Sequence, residues 1–357
     1  MRITFICPFD LDRISGTPIR SRTIMRAATH CGEVRVITQR MSTPIENVTV
    51  RDLGICGLYT FTRLSLEELK KSSPWVVHGI TTASVPAMLL YKLLKRSRVK
   101  ILFEMHGWSR FELMGARRPV LRAIFYILDM VGLNISNTVI VMSHTQKEFL
   151  SWRALNPKKM KVLWGPVDSI PPLVSAPETP PLVVGYLGNS SSWQGLSYVL
   201  DAATLLKNDP SFIFRFAGFD PSNLENIPHS SSIHYHGILK GNETLLFWQG
   251  CTVLISPRVP GSVSNLQFPH KLSGYLSAGR PVIVSSANDQ ARIIKEAQCG
   301  LIVDPLNAES LVRALKDFAR LSQEERQKMG ERASRFAHKN FSFEILITTL
   351  KELYMIE

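Results

Sequence analysis

Short apolar runs of strand length alternate with helix-length amphipathic segments along the whole chain, and this alternation is the strongest constraint on its fold. A parallel strand is buried on both faces and reads as a nearly continuous apolar run; its partner strand is reached only through a long crossover, usually a helix. In the first half the strand candidates are Ile3–Cys7, Val34–Thr38, Val76–His78, Lys100–Glu104 and Thr138–Met142. Helical patterns cover Pro18–Thr29, Val85–Leu94 and Pro119–Leu133. The pattern pauses at Trp164–Asp168, and a proline-rich stretch (IPPLVSAPETPP) follows to Pro181. A second cycle then opens at Leu182–Leu187. It continues through strands at Phe212–Phe216, Ile233–Tyr235, Cys251–Ile255, Pro281–Ser285 and Leu301–Val303. Helices are read at Ser197–Leu206, Glu243–Gln249, His270–Ala278, Gln290–Ala297, Ala308–Leu321 and Ser342–Tyr354. At 357 residues the chain exceeds one ordinary core. The expected architecture is α/β, with two Rossmann-like doubly wound domains facing a cleft lined by the carboxyl ends of both strand sets. The expected divisions are residues 1–168, a linker at 169–181, a second domain at 182–335, and a terminal segment at 336–357.

Charge narrows the range of partners. Lys and Arg number 42 against 29 Asp and Glu, a formal net charge of +13, which favours acidic ligands. No basic run interleaved with stacking aromatics suggests nucleic-acid binding. Basic clusters instead flank apolar stretches, at Tyr91–Arg98 and at Arg117–Arg122 before Ala123–Leu128. Such a face suits an anionic membrane surface, or is simply a solvated face beside a core face. No apolar run approaches a spanning helix, and the N-terminus reads as a buried first strand rather than a signal peptide. The five scattered cysteines form no CxxC pair and suit a reducing cytosol. The expectation is a cytoplasmic protein, peripheral on the inner face of the plasma membrane where the basic face engages lipid.

The second half carries an ordered set of motifs. Val184–Asn189 (VGYLGN) precedes Trp193–Leu196 (WQGL); Phe214–Gly218 (FRFAG) and His236–Leu239 (HGIL) follow, then Cys251–Pro257 (CTVLISP). Pro269–Ile283 (PHKLSGYLSAGRPVI) is the most specific of them, and Cys299–Asp304 and Phe341–Phe343 complete the order. In the first half Gly16–Arg20, Phe103–Gly107 (FEMHG), Thr138–Ser143 and Lys161–Asp168 fall in register. Taken in order, these residues resemble retaining glycosyltransferase family 4, of the B-type two-Rossmann fold (GT-B), in its bacterial cell-surface polysaccharide branch.

That resemblance implies a retaining hexosyltransferase moving a sugar from a nucleoside diphosphate to a lipid-linked or cell-surface glycan acceptor. His106 would then hydrogen bond the donor sugar or stabilise the reaction centre, with Glu104 orienting it. Lys271, at a helix start, would meet the diphosphate with a full positive charge, a solvated helix-end lysine being the plain alternative. Gly188 and Asn189 would turn amides toward phosphate, and Gly16, Thr17 and Arg20 would close over it from the other domain. Main-chain groups around Ile238 would hold the base. Arg258 could grip a phosphate or carboxylate bidentately, or be an ordinary loop arginine. No DxD metal pattern is read in a strand-end context and no His/Cys cluster is seen, so no cofactor and a metal-independent reaction are expected.

Three positions depart from the family pattern. The acidic residue that binds ribose hydroxyls falls at Gly274, a second acidic residue at Leu266, and the lysine before the helix-start glycine at Gln194. These departures favour a competing reading, a catalytically weak or inactive GT-B partner protein. A dinucleotide oxidoreductase fits poorly, because no GxGxxG opens either half.

Overall fold

A computed structural model describes all residues except 14, 96–98, 113–118, 225–226, 305 and 356–357. Part of both basic clusters noted above, Arg96, Arg98, Arg117 and Arg118, therefore lies outside the described residues. The chain divides into two compact units, Met1–Asp168 with Phe343–Glu357, and Ser169–Ser342.

The first unit is built on β1 (Arg2–Asp10), β2 (Glu33–Arg40), β3 (Val48–Asp52), β4 (Val76–Ile80), β5 (Lys100–Met105), β6 (Thr138–Val141) and β7 (Met160–Val162). All pair in parallel, in the order β3-β2-β1-β4-β5-β6-β7. The sheet winds outward from β1 in both directions, so the order reverses between β1 and β4. Crossovers leave opposite faces there, and the carboxyl ends of the strands open into a crevice.

The second unit repeats the plan with β8 (Leu182–Leu187), β9 (Phe212–Ala217), β10 (Ile233–Tyr235), β11 (Val253–Ser256), β12 (Val282–Ser285) and β13 (Gly300–Val303). Its order is β10-β9-β8-β11-β12-β13, again all parallel, with the reversal between β8 and β11. Val184, Phe214, Val253 and Ile283 fill its core from the sheet, while Val199, Leu311 and Phe318 cover it from helices.

Most expected elements stand within two residues of their reading; the helices Leu58–Ser72 and His144–Ser151 were not read, nor were several polar or short elements. The edge strand β3 is half exposed, and β7 is three residues long. The helix Gln323–Asn340 is too polar to show an apolar stripe, yet Ser322 and Glu325 form a capping box at its start.

Two expected boundaries change. Residues 169–181 are not a free linker but belong to the second unit. The buried Arg280 donates to the carbonyls of Val174 (2.9 Å) and Ser175 (3.2 Å), and Arg326 reaches Thr179 Oγ1 at 2.5 Å. The terminal segment expected from residue 336 is divided, and only Phe343 onward belongs to the first unit. Gln323–Asn340 is one continuous helix, and the Phe336 and Phe341 rings pack 5.6 Å apart within the second unit. From Phe343 to Tyr354 a last helix buries Leu346, Leu350 and Tyr354 among Phe5, Ile24 and Val36 of the first unit. Among the described residues no helix is long and apolar enough to cross a membrane.

Candidate functional site

In the first unit the expected residues converge on one buried carboxylate. Glu104 ends β5 with no exposed surface, and its Oε1 accepts from Arg20 Nε at 2.6 Å and from His106 Nε2 at 2.7 Å. Its Oε2 faces His78 Nε2 at 3.2 Å. Burial alone would raise the Glu104 carboxyl. The Arg20 charge and the bonds from His106 and His78 outweigh it and hold the group well below the usual carboxylate range. An ionised carboxylate only accepts hydrogen bonds, so both imidazoles present Nε2–H to it. In the neutral rings Nδ1 is then an acceptor, and the Thr17 hydroxyl lies 2.9 Å from His106 Nδ1. His106 keeps a tenth of its side chain exposed.

Gly16 and Thr17 open the helix Gly16–Ala28, whose N-terminus has no side-chain cap and no acidic residue in its first turn. These two positions remain available to an anion. Arg20 does not: it is fully buried, and its remaining nitrogens donate to the carbonyls of Trp164 (2.6 Å) and Leu163 (2.9 Å). It holds Glu104 and the end of β7 together, and its expected role as a phosphate clamp is corrected.

In the second unit Lys271 stands in the first turn of His270–Ser277, a helix with no side-chain cap and no early acidic residue. It is not the solvated lysine of the plain alternative. Its Nζ is buried without a hydrogen-bond partner and lies over the Tyr186 ring, 4.5 Å from the centroid. Burial, and then the nearby Arg258 charge, bring its pKa down to about 7. Gly188, just past β8, leaves the room for this amine, since a Cβ there would lie 2.7 Å from Lys271 Nζ. Tyr275 ties the strand end in place, its hydroxyl accepting from Leu187 N (2.9 Å) and donating to Leu187 O (3.1 Å). Arg258 is 3% exposed and follows β11 across the reversal point. Its Nε is buried without a partner, and Nη2 reaches Gln267 only at 3.5 Å. Burial lowers its pKa to about 10. Two buried basic side chains thus flank the end of β8, and among the described residues no carboxylate forms an ion pair with either.

The other expected residues stand apart from this cluster or are blocked. The Asn189 side chain is spent on its own turn, accepting from Ser191 N at 3.1 Å, and Ile238 is 61% exposed on the loop after β10. Gln194 ends a short 3₁₀ turn with a buried, unpartnered Oε1. Leu266 is buried. Gly274 offers no binding group, and its side-chain direction is already filled. A Cβ there would lie 2.3 Å from Trp248 Cη2 and 2.7 Å from Cζ3. The indole occupies the space that a carboxylate would need. Gly274→Ala is therefore expected to cost about 1–3 kcal/mol of stability, and Gly274→Glu more. Combining either with Trp248→Ala should recover part of the loss in urea unfolding. An undiminished Gly274→Ala protein would show that the indole yields freely.

Sequence reading missed Tyr186, Tyr275, Trp248, His78 and Tyr354. A lone histidine inside a wholly apolar strand was the available signal for His78, because a buried imidazole needs partners. Among the described residues no three His, Cys, Asp or Glu side chains gather as a metal-binding group.

Residues 205–342 match the family described as Glucosyltransferase 3-like, C-terminal domain. Over 93 residues the chain is 37% identical to Glucosyltransferase 3 of Streptococcus gordonii, an alignment covering 25% of this chain and about a quarter (26%) of that protein. Similar solved structures span nearly the whole chain. Sucrose-phosphate synthase from Thermosynechococcus elongatus has a TM-score of 0.78 at 14% identity, over 99% of this chain and 98% of that one. WaaG, a glycosyltransferase involved in lipopolysaccharide biosynthesis, has 0.73 at 13%, over 99% and 100%. Anabaena HepE in complex with UDP-glucose has 0.73 at 12%, over 99% and 98%. With its two parallel sheets in reversed winding order and these likenesses along its length, the chain has the GT-B glycosyltransferase fold.

Proposed function

We propose that this protein is a retaining glycosyltransferase whose second unit binds a nucleoside diphosphate sugar at Lys271, Arg258 and the turn after β8. The observation that carries the reading is the pair of buried cations with unpartnered nitrogens at a strand reversal. An unneutralised buried charge is costly, and a chain retains one where an anion completes it. A departing diphosphate suits this site, because its developing charge meets donors already in place, and in this reading no metal is required. His106, held by Glu104 and Thr17, supplies the hydrogen-bonding group for transfer. HepE holds UDP-glucose and the Streptococcus gordonii relative is named a glucosyltransferase, so UDP-glucose is the first donor to try. Retention and a lipid-linked or surface-glycan acceptor come from the family 4 resemblance. Peripheral attachment to an anionic membrane is supported by exposed Leu90, Leu93 and Leu94 on Val85–Lys95, and by exposed Val120, Ile124 and Ile127 on the neighbouring helix Pro119–Ile135.

The test is a thermal-shift series over nucleoside diphosphates, followed by turnover of UDP-glucose on lipid-linked acceptors in anionic and neutral vesicles with EDTA present. The expected result is stabilisation by at least one diphosphate, a stabilisation that grows with concentration. Turnover should survive EDTA and be faster on anionic vesicles at low salt. No stabilisation by any diphosphate sinks the donor site. Binding without turnover on any acceptor favours the second reading, an inactive GT-B binding protein, for which the Trp248 ring in place of a carboxylate at Gly274 is the supporting observation.

A further inference from the structure

A hydrogen-bonded chain runs from the last helix to the edge of the first sheet, and the reaction proposed above does not use its far end. Tyr354 is fully buried in that helix, and its hydroxyl lies 2.9 Å from His78 Nδ1. His78 is fully buried in β4, with its ring stacked 4.7 Å from that of Phe5 and its Nε2 3.2 Å from Glu104 Oε2. Glu104 in turn holds His106 Nε2.

We infer that His78 and Tyr354 are positioning residues for His106, acting through the Glu104 carboxylate; the inference rests on the proposal that His106 serves sugar transfer. With the imidazoles neutral, each link has one consistent polarity. Glu104 can only accept, so His78 must offer Nε2–H, and its Nδ1 then needs a donor. Tyr354 is the donor present, and burial holds its phenol well above the usual range, so the hydroxyl keeps its proton. Without that hydroxyl, His78 Nδ1 is a buried acceptor with nothing to accept. Reversing the tautomer exchanges that defect for a buried Nδ1–H without an acceptor and turns a lone pair toward the carboxylate, so the two forms come close in energy. Reversal costs Glu104 its donor on Oε2, and the freed oxygen then competes for the donors held by Oε1, Arg20 and His106. The imidazole of His106 loses its single orientation as a result. A fully satisfied buried polar network holds the groups it joins in one arrangement, and His106 is the member of this one that keeps exposed surface.

The experiment uses the whole protein labelled with ¹⁵N-histidine, with the His106 signals identified by their loss in His106→Gln. In the parent protein His106 should show one tautomer, protonated at Nε2. Tyr354→Phe, which retains the ring and its packing, should give His106 a mixed tautomer pattern. It should also lower kcat about tenfold with the donor KM within twofold. Unchanged His106 signals in Tyr354→Phe overturn the inference, whatever happens to thermal stability. The imidazole readout needs no turnover. A protein that turns over no donor but shows the tautomer change retains the positioning chain and loses the transferase reading. Should Tyr354→Phe not fold, His78→Gln and His78→Leu replace it. The glutamine amide can still donate to Glu104 and should preserve the His106 pattern, whereas leucine should lose it; identical patterns in both overturn the inference.

Discussion

Lys271→Met is expected to weaken nucleoside diphosphate binding about 100-fold and, in the same protein, to raise the stability of the ligand-free state. The two effects have one origin. Lys271 Nζ is buried over the Tyr186 ring, with no hydrogen-bond acceptor in reach and Arg258 near it. Methionine keeps the length and apolar body of the side chain while removing a buried amine that the empty fold leaves without a partner. The pH dependence carries the same sign. The folded pKa of about 7 lies below the ordinary 10.5, so between these values the unfolded chain holds a proton that the folded one has lost. Stability of the empty protein therefore rises with pH across that window through this group, and Lys271→Met should lack that slope. Ligand binding runs the other way, because an incoming diphosphate favours the ammonium. Calorimetry at pH 8 in buffers of differing ionisation enthalpy should record uptake of close to one proton per diphosphate bound, against none in the methionine variant. Undiminished affinity in Lys271→Met would remove this residue from the binding site.

Glu104→Ala should be the most damaging single change in the first unit, at roughly 3–5 kcal/mol. It strands the guanidinium of Arg20 in a site with no exposed surface and removes the acceptor from His78 and His106 together. In the parent protein the folded Glu104 pKa lies well below the ordinary 4.5, so this carboxylate's contribution is fully present above that value. It is lost as the pH falls from there through the folded pKa. Hydrogen exchange of the β5 amides reports the effect locally. Protection should fall steeply below pH 4.5 in the parent, and at all pH values in Glu104→Ala. Protection matching the parent at neutral pH would mean that the ion pair is dispensable.

The fold was legible because both halves alternate strongly between apolar runs and crossover helices, and parallel sheets leave few other solutions. The helix Gln323–Asn340 escaped reading because it shows no apolar stripe, and β3 because an edge strand buries only part of one face. Candidate residues were legible where their placement is local: Lys271 at a helix start and His106 at a strand end both show in the sequence. Arg20 was misread, because the partner that consumes its charge stands 84 residues away in β5. The missing acid at Gly274 was visible as an absence; the indole that fills its place, 26 residues earlier, was not. Tyr354 and His78, 276 residues apart, share no sequence signal.

The return of the last helix to the first unit has a consequence for synthesis. A chain that has left the ribosome as far as Ser342 contains every residue of the second unit. Its first unit still lacks Leu346, Leu350, Leu353 and Tyr354, and His78 faces an empty place. Growth is vectorial, so the first unit is completed only after the whole of the second has been made, and the apolar residues that this helix covers stay uncovered until Phe343–Tyr354 emerges. A nascent chain that has emerged only as far as residue 342 should consequently be a chaperone client through its first unit, although that unit's other elements emerge before the second unit.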